Sequence, residues 1–333
     1  MSGDASLSTL AEIRTKVRRL TRSPSPSQLS DSDIDKYVNT FVLYDFPEHL
    51  RLFSLRKTLT FYCEPYIDVY ETNTTDPNNP LYNFVNQYTT IHGPVYIAGY
   101  QALLSQSREQ FFAMYPMVNS IQSIGTTGDG VTTTFSGTLA NIPVVRENVT
   151  FSSINNNNGG LEVHDDGNGL LYGDVSVPGT IDYVTGAYSF DFTLAPASGA
   201  PINSQVVAYV PALPQAILYY DNKFTLRPIP DQPYQIRLEV YERPTELLSS
   251  NQMPDLCEWW QYIAYGAAKK VLEDRMDMET VQMIMPEFKQ QERLILRRTL
   301  VQNSNQRTAS IYVEQSGNAS SANSWGQGSG GTI

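Results

Sequence analysis

The feature that most constrains this chain is a change of character at Gly125. From there to about residue 210 helical periodicity almost vanishes, and Thr, Val, Gly and Asn gather in β-branched runs separated by turn residues. Val131 to Phe135, Val144 to Phe151, Leu170 to Val177, Thr180 to Tyr183, Ala187 to Leu194 and Gln205 to Val210 read as about six strands, with the spacing of a β-sandwich. The flanks on either side are compatible with one continuous fold. The sandwich is therefore expected as an insertion, the kind that exposed loop tips accept.

The flanks carry helical signals. Leu7, Leu10, Ile13, Val17 and Leu20 recur at three and four residues, which is one apolar helix stripe. Ser23-Pro24-Ser25-Pro26-Ser27 ends it, and Ser30 to Asp33 offer N-caps for a second helix through Ile34, Val38 and Phe41. Leu52 to Tyr70 turns β-like, Val95 to Ala98 suggests a strand, and Gln101 to Met114 looks helical. After the insertion, Ala216 to Tyr220 and Lys223 to Leu226 predict strands, followed by Gln235 to Tyr241 beyond a Pro-rich connection. Two helices close the pattern. Pro254 and Asp255 suit the opening turn of the first, with Trp259, Trp260, Ile263, Ala267 and Val271 on its stripe. Asp277 caps the second, which Pro286 is expected to bend or interrupt.

These readings predict an α+β chain, a helical bundle with a small antiparallel sheet, carrying an inserted all-β sandwich. Residues 1–122 and 213–302 form the two parts of the core, 123–212 the insertion, and 303–333 a polar tail too poor in apolar residues to order itself.

The net charge of −11 argues against indiscriminate DNA coating, because phosphate binding needs clustered Lys and Arg. Residues 125–210 concentrate the imbalance: eight acids face Arg146 alone. The N-terminal stripe is locally basic (Arg14, Lys16, Arg18, Arg19, Arg22), which reads as a solvated helix face or a contact for an acidic partner. The 21 tyrosines favour protein contacts. Cys63 and Cys257 are expected as buried, inert thiols in a reducing compartment. Without an apolar leader or a membrane-length stretch, assembly in a cytoplasm is expected.

Chemistry is scarce. His49, His92 and His164 are scattered, and no zinc pattern or phosphate loop occurs. His164-Asp165-Asp166-Gly167-Asn168-Gly169 lacks the alternating acids and terminal Glu of a calcium loop and reads as a turn. No catalytic residue, cofactor or metal is assigned. Trp259 and Trp260 read as core packing or as anchors for a neighbouring subunit.

The order of elements resembles the head-to-tail adaptors (connectors, or tail tubular protein A-like proteins) of tailed double-stranded DNA bacteriophages. The resemblance rests on Leu7-x2-Leu10-x2-Ile13-Arg14-x5-Leu20 with the capped Leu29 to Asn39 helix, on Phe224-Thr225-Leu226-Arg227-Pro228-Ile229-Pro230 leading to Ile236 to Tyr241, and on Met253-Pro254-Asp255 opening the helix to Asp274. It covers most of residues 7–300. The resemblance implies a non-enzymatic virion protein of the neck, assembled in a bacterial host's cytoplasm. It implies a homo-oligomeric ring, often twelve-fold, that joins the portal to a tail or nozzle protein and extends the channel for genomic DNA. It also implies a tail segment that docks on the portal, here with Ile311, Tyr312, Val313 and Trp325, and ring contacts at Trp259 and Trp260. The acidic sandwich would face outward, toward a fibre or collar protein. Two other readings compete. One is a tail-fibre or receptor-binding module that uses the sandwich to bind carbohydrate. The other is a cell-wall hydrolase using acids such as Asp165 and Asp182.

Overall fold

The computed structural model describes residues 8–50 and 52–303. In chain order, α1 (Leu10–Leu20) and α2 (Asp31–Thr40) lead through a π-helical turn (Phe41–Asp45) into the short α3 (Phe46–His49). Then come β1 (Arg56–Tyr62), β2 (Val69–Glu71), α4 (Phe84–Gln87), β3 (Tyr88–Ile97), β4 (Tyr100–Ser105) and α5 (Arg108–Met114). Eight strands follow: β5 (Ser120–Thr127), β6 (Thr134–Thr138), β7 (Thr150–Ile154), β8 (Gly160–Asp165), β9 (Leu170–Gly173), β10 (Val175–Ile181), β11 (Ala187–Phe192) and β12 (Pro201–Val206). The chain closes with β13 (Ala216–Tyr220), β14 (Lys223–Arg227), β15 (Gln235–Glu242), α6 (Trp260–Asp274) and α7 (Met278–Asn303). It divides into two compact units. One holds the described residues up to Lys57, Asn86–Ile91 and those from Val240 onward; the other holds Thr58–Val85 and His92–Glu239.

In the first unit the helices start where short polar side chains replace missing backbone partners. Thr9 accepts from the Glu12 amide at 3.4 Å, Ser30 from the Asp33 amide at 3.1 Å, and Asp277 from the Thr280 amide at 3.1 Å. Ile13 and Val17 of α1, Ile34 and Val38 of α2, and Ile284, Phe288 and Ile295 of α7 converge on α6. That helix is buried on nearly all sides (Tyr262, Ile263, Ala264, Gly266, Ala267, Ala268, Val271, Leu272). Its small residues let neighbours approach, and Gly266 receives the Phe41 ring directly. Tyr262 stacks on Phe288 at 4.8 Å and meets Phe41 edge-on at 5.4 Å. α7 continues past Pro286 rather than stopping there. Two cations of the basic α1 segment are held by α2: Arg14 grips Asp35 through two hydrogen bonds, at 2.7 and 2.6 Å, and Arg18 donates to Asp31 at 2.5 Å.

The expected helical bundle with a small sheet is overturned. The chain is mostly β, with 29% helix. A seven-stranded sheet runs β1-β15-β3-β4-β13-β14-β2, and an eight-stranded one runs β5-β12-β7-β8-β9-β10-β11-β6. The sheet of the flanks is larger than foreseen because its pairings are long-range. β4 lies parallel to β13, with Ala216 opposite Leu103, so the stretch from Gln101 that looked helical is partly a strand, and only Arg108–Met114 is helix. The β13–β14 hairpin turns at Asp221 and Asn222, both with positive φ, as a two-residue hairpin turn requires.

The insertion is also not a two-sheet sandwich. A single antiparallel sheet curls around one core of Phe135, Phe151, Val163, Leu171, Phe190, Phe192 and Ile202. Phe151 of β7 lies 4.7 Å from both Tyr188 and Phe190 of β11, although three strands separate β7 from β11 in the sheet. Only a nearly closed barrel brings them together.

Three turns of this barrel are fastened by carboxylates. Asp129 accepts from Thr132 Oγ1 at 2.6 Å and from the Val131 and Thr132 amides, and these bonds lower its pKa from the ordinary 3.8 to about 2. Bonds from the Leu170 amide lower Asp166, and Thr185 and the Val184 amide lower Asp182. A carboxylate depressed in the folded state stabilises it above the unfolded pKa and loses that contribution as pH falls through the folded value. Barrel stability, followed by thermal melting, is therefore expected to hold at pH 5 and to fall between about pH 4 and pH 2. Asp129→Asn should flatten that slope.

Candidate functional site

Arg146, the lone cation of the acidic stretch, is held by a tightly determined turn. The preceding residue, Val145, is buried against Val207 and Ile229, and its amide donates to the Val207 carbonyl at 2.9 Å. Next comes Glu147 with φ +59°, a left-handed conformation that costs a non-glycine residue about 1 kcal/mol or more. Buried Asp165 of β8 fixes it: its carboxylate accepts from the Glu147 amide at 2.6 Å and the Val149 amide at 2.8 Å. Gly167 completes the turn. A Cβ there would come within 2.8 Å of Glu147 Cγ. The Arg146 guanidinium lies 5.1 Å over the Tyr183 ring and donates to the Gly167 carbonyl at 3.2 Å, while its buried Nε has no acceptor among the described residues. Burial pushes the Tyr183 hydroxyl pKa up.

Across a cleft of about 490 Å³ lies the β13–β14 hairpin, with β2 and α5. Its floor is a buried ion pair, Arg227 to Asp68 at 2.6 Å. Lys223 pairs with Glu71 at 3.1 Å. Arg108 of α5 is placed between the Phe112 and Tyr220 rings, 5.8 Å from each. Four cations (Arg108, Arg146, Lys223, Arg227) and four acids (Asp68, Glu71, Glu147, Asp221) thus line one cleft. With Asp165→Ala the Glu147 and Val149 amides would be unpaired. A loss of about 1–3 kcal/mol is expected in chemical denaturation.

Of the residues singled out by sequence, Trp259 and Trp260 are half-buried against the helical core, and Arg298 lies 5.5 Å over the Trp259 ring. Ile311, Tyr312, Val313 and Trp325 lie outside the described residues. Cys63 is buried, but Cys257 is exposed, against expectation. The Asp166 side chain accepts from the Asn168 and Leu170 amides, so Asp166 to Gly169 form the turn, whereas His164 and Asp165, expected in the same turn, belong to β8. The two acids of the hydrolase reading serve separate backbone segments, Asp165 as above and Asp182 at the Val184 and Thr185 amides. Among the described residues no group of three or more His, Cys, Asp or Glu side chains is placed to hold a metal ion, and no helix is long and apolar enough to cross a membrane. The sequence reading missed Asp68, Arg108, Tyr220 and Arg227. Arg146, isolated among acids, was the one visible pointer.

No protein-family model matches the chain, and no curated protein matches it.

Proposed function

We propose that this chain is a structural subunit of a phage virion, a head-to-tail adaptor that assembles into a homo-oligomeric ring, twelve-fold, between the portal and a tail or nozzle protein. The observation that carries the reading is α7. Val281, Ile284, Phe288 and Ile295 bury one side of it, yet Met283, Leu294 and Leu296 remain exposed elsewhere on the helix, beside Met276 and Met278 at its start. A helix with more apolar surface than its own unit covers is suited to a neighbouring subunit. The order of capped N-terminal helices, the Phe224 to Pro230 run and the Met253 to Asp274 segment supports the adaptor class. In this proposal the helical unit supplies the ring wall, genomic DNA passes through the channel, and the chain beyond Asn303 reaches the portal.

The test combines electron microscopy of the purified chain with portal binding. Rings are expected, and Met283→Glu with Leu294→Glu should give folded monomers. A chain lacking residues 304–333 should still fold while losing portal binding. A wild-type chain that stays monomeric and ignores portal would sink the reading.

A further inference from the structure

We propose that the cleft between the Arg146-Glu147 turn and the β13–β14 hairpin binds a neutral oligosaccharide. Charge balance makes the first argument. The cleft offers four cations and four acids, of which, among the described residues, only Arg227 with Asp68 and Lys223 with Glu71 form ion pairs. Arg146 and Glu147 on one wall, and Arg108 and Asp221 on the other, line the cleft without such a pair. A polyanion entering it meets carboxylates, and a polycation meets guanidinium groups. A sugar hydroxyl both donates and accepts, so neighbouring hydroxyls satisfy carboxylates and guanidinium groups at once, with no net charge to bury.

The second argument is the presence of apolar surface between these charges. Tyr220 is 50% exposed and Val69 41% exposed, which provides faces for the C–H side of a sugar ring. The third is rigidity. Asp165 holds Glu147 in a strained conformation, and Tyr183 with the Gly167 carbonyl fixes Arg146, so the polar groups are placed before any ligand arrives. The volume is that of a small-molecule site.

Saturation-transfer NMR on the full chain tests this with N-acetylchitotriose, maltotriose and mannotriose as neutral probes. A heparin tetrasaccharide and a Lys-Glu alternating hexapeptide serve as charged competitors. Transfer to the ring protons of at least one neutral trisaccharide is expected. Tyr220→Ala and Arg146→Met should each weaken it about tenfold, with the chain still folded at the assay temperature and its oligomeric state unchanged. The proposal is overturned by no transfer to any of the three, by binding that survives both variants, or by the heparin fragment or the hexapeptide binding in their place. Ring formation is read separately, so a failure here leaves the adaptor reading standing.

Discussion

Arg227→Met is expected to cost the sheet-bearing unit about 3–5 kcal/mol, the range for removing one partner of a buried ion pair. The guanidinium lies 2.6 Å from Asp68, and neither side chain is more than a tenth exposed. Arg227 also donates to the Leu226 carbonyl at 2.8 Å, and the Leu226 amide donates to the Asp68 carbonyl at 2.8 Å, so the pair joins β14 to the approach to β2. Methionine keeps the stem's packing but leaves a carboxylate in a poorly solvated place. Urea denaturation reads this. Adding Asp68→Asn should recover much of the loss, and a double-mutant cycle gives the coupling. No recovery in the double variant would show that shape rather than charge matters.

Gly266→Leu is expected to destabilise the helical unit by about 3 kcal/mol or more. Glycine inside a helix costs about 1 kcal/mol relative to alanine, so its place in α6 needs a packing reason. The Phe41 ring is that reason. A Cβ on Gly266 would lie 2.5 Å from Phe41 Cε1 and closer to two other ring atoms. The ring is packed against Phe46, Tyr262 and Phe288 at centroid distances of 6.0, 5.4 and 6.3 Å, so moving it disturbs three further aromatic contacts. Gly266→Ala should show the same sign at smaller size, partly offset by helix propensity. Pairing Gly266→Ala with Phe41→Leu should restore part of the stability. Melting of the two single variants and the pair measures this. An alanine variant as stable as the parent would mean that Phe41 repacks freely.

Local grammar was legible in the sequence. Ser30 and Asp277 announced their helix starts, and the α6 stripe from Ile263 to Val271 showed its buried side. Pairing was not legible. β4 meets β13 across more than a hundred residues, and Leu103-Leu104 alone is as compatible with a helix as with a strand. β8 escaped notice because His164-Asp165-Asp166 resembles a loop, whereas the Asp165 side chain turns inward to serve two amides. The cleft was hidden for the same reason. Asp68 and Arg227 lie far apart in the chain, and their meeting depends on sheet order. Arg146 could be seen as unusual, but the groups facing it could not.

Ser120 opens β5 and pairs with Val206, which closes β12, so the polypeptide goes into the barrel and comes out of it on adjacent strands. A segment with its two ends side by side behaves like a cartridge. Lengthening, shortening or exchanging it leaves the distance that the host fold must bridge almost unchanged, and loop-closure entropy rises only slowly with size. Selection can therefore rework the barrel's wall of the cleft while β4 and β13 keep their pairing, which separates what this chain presents from how it is built.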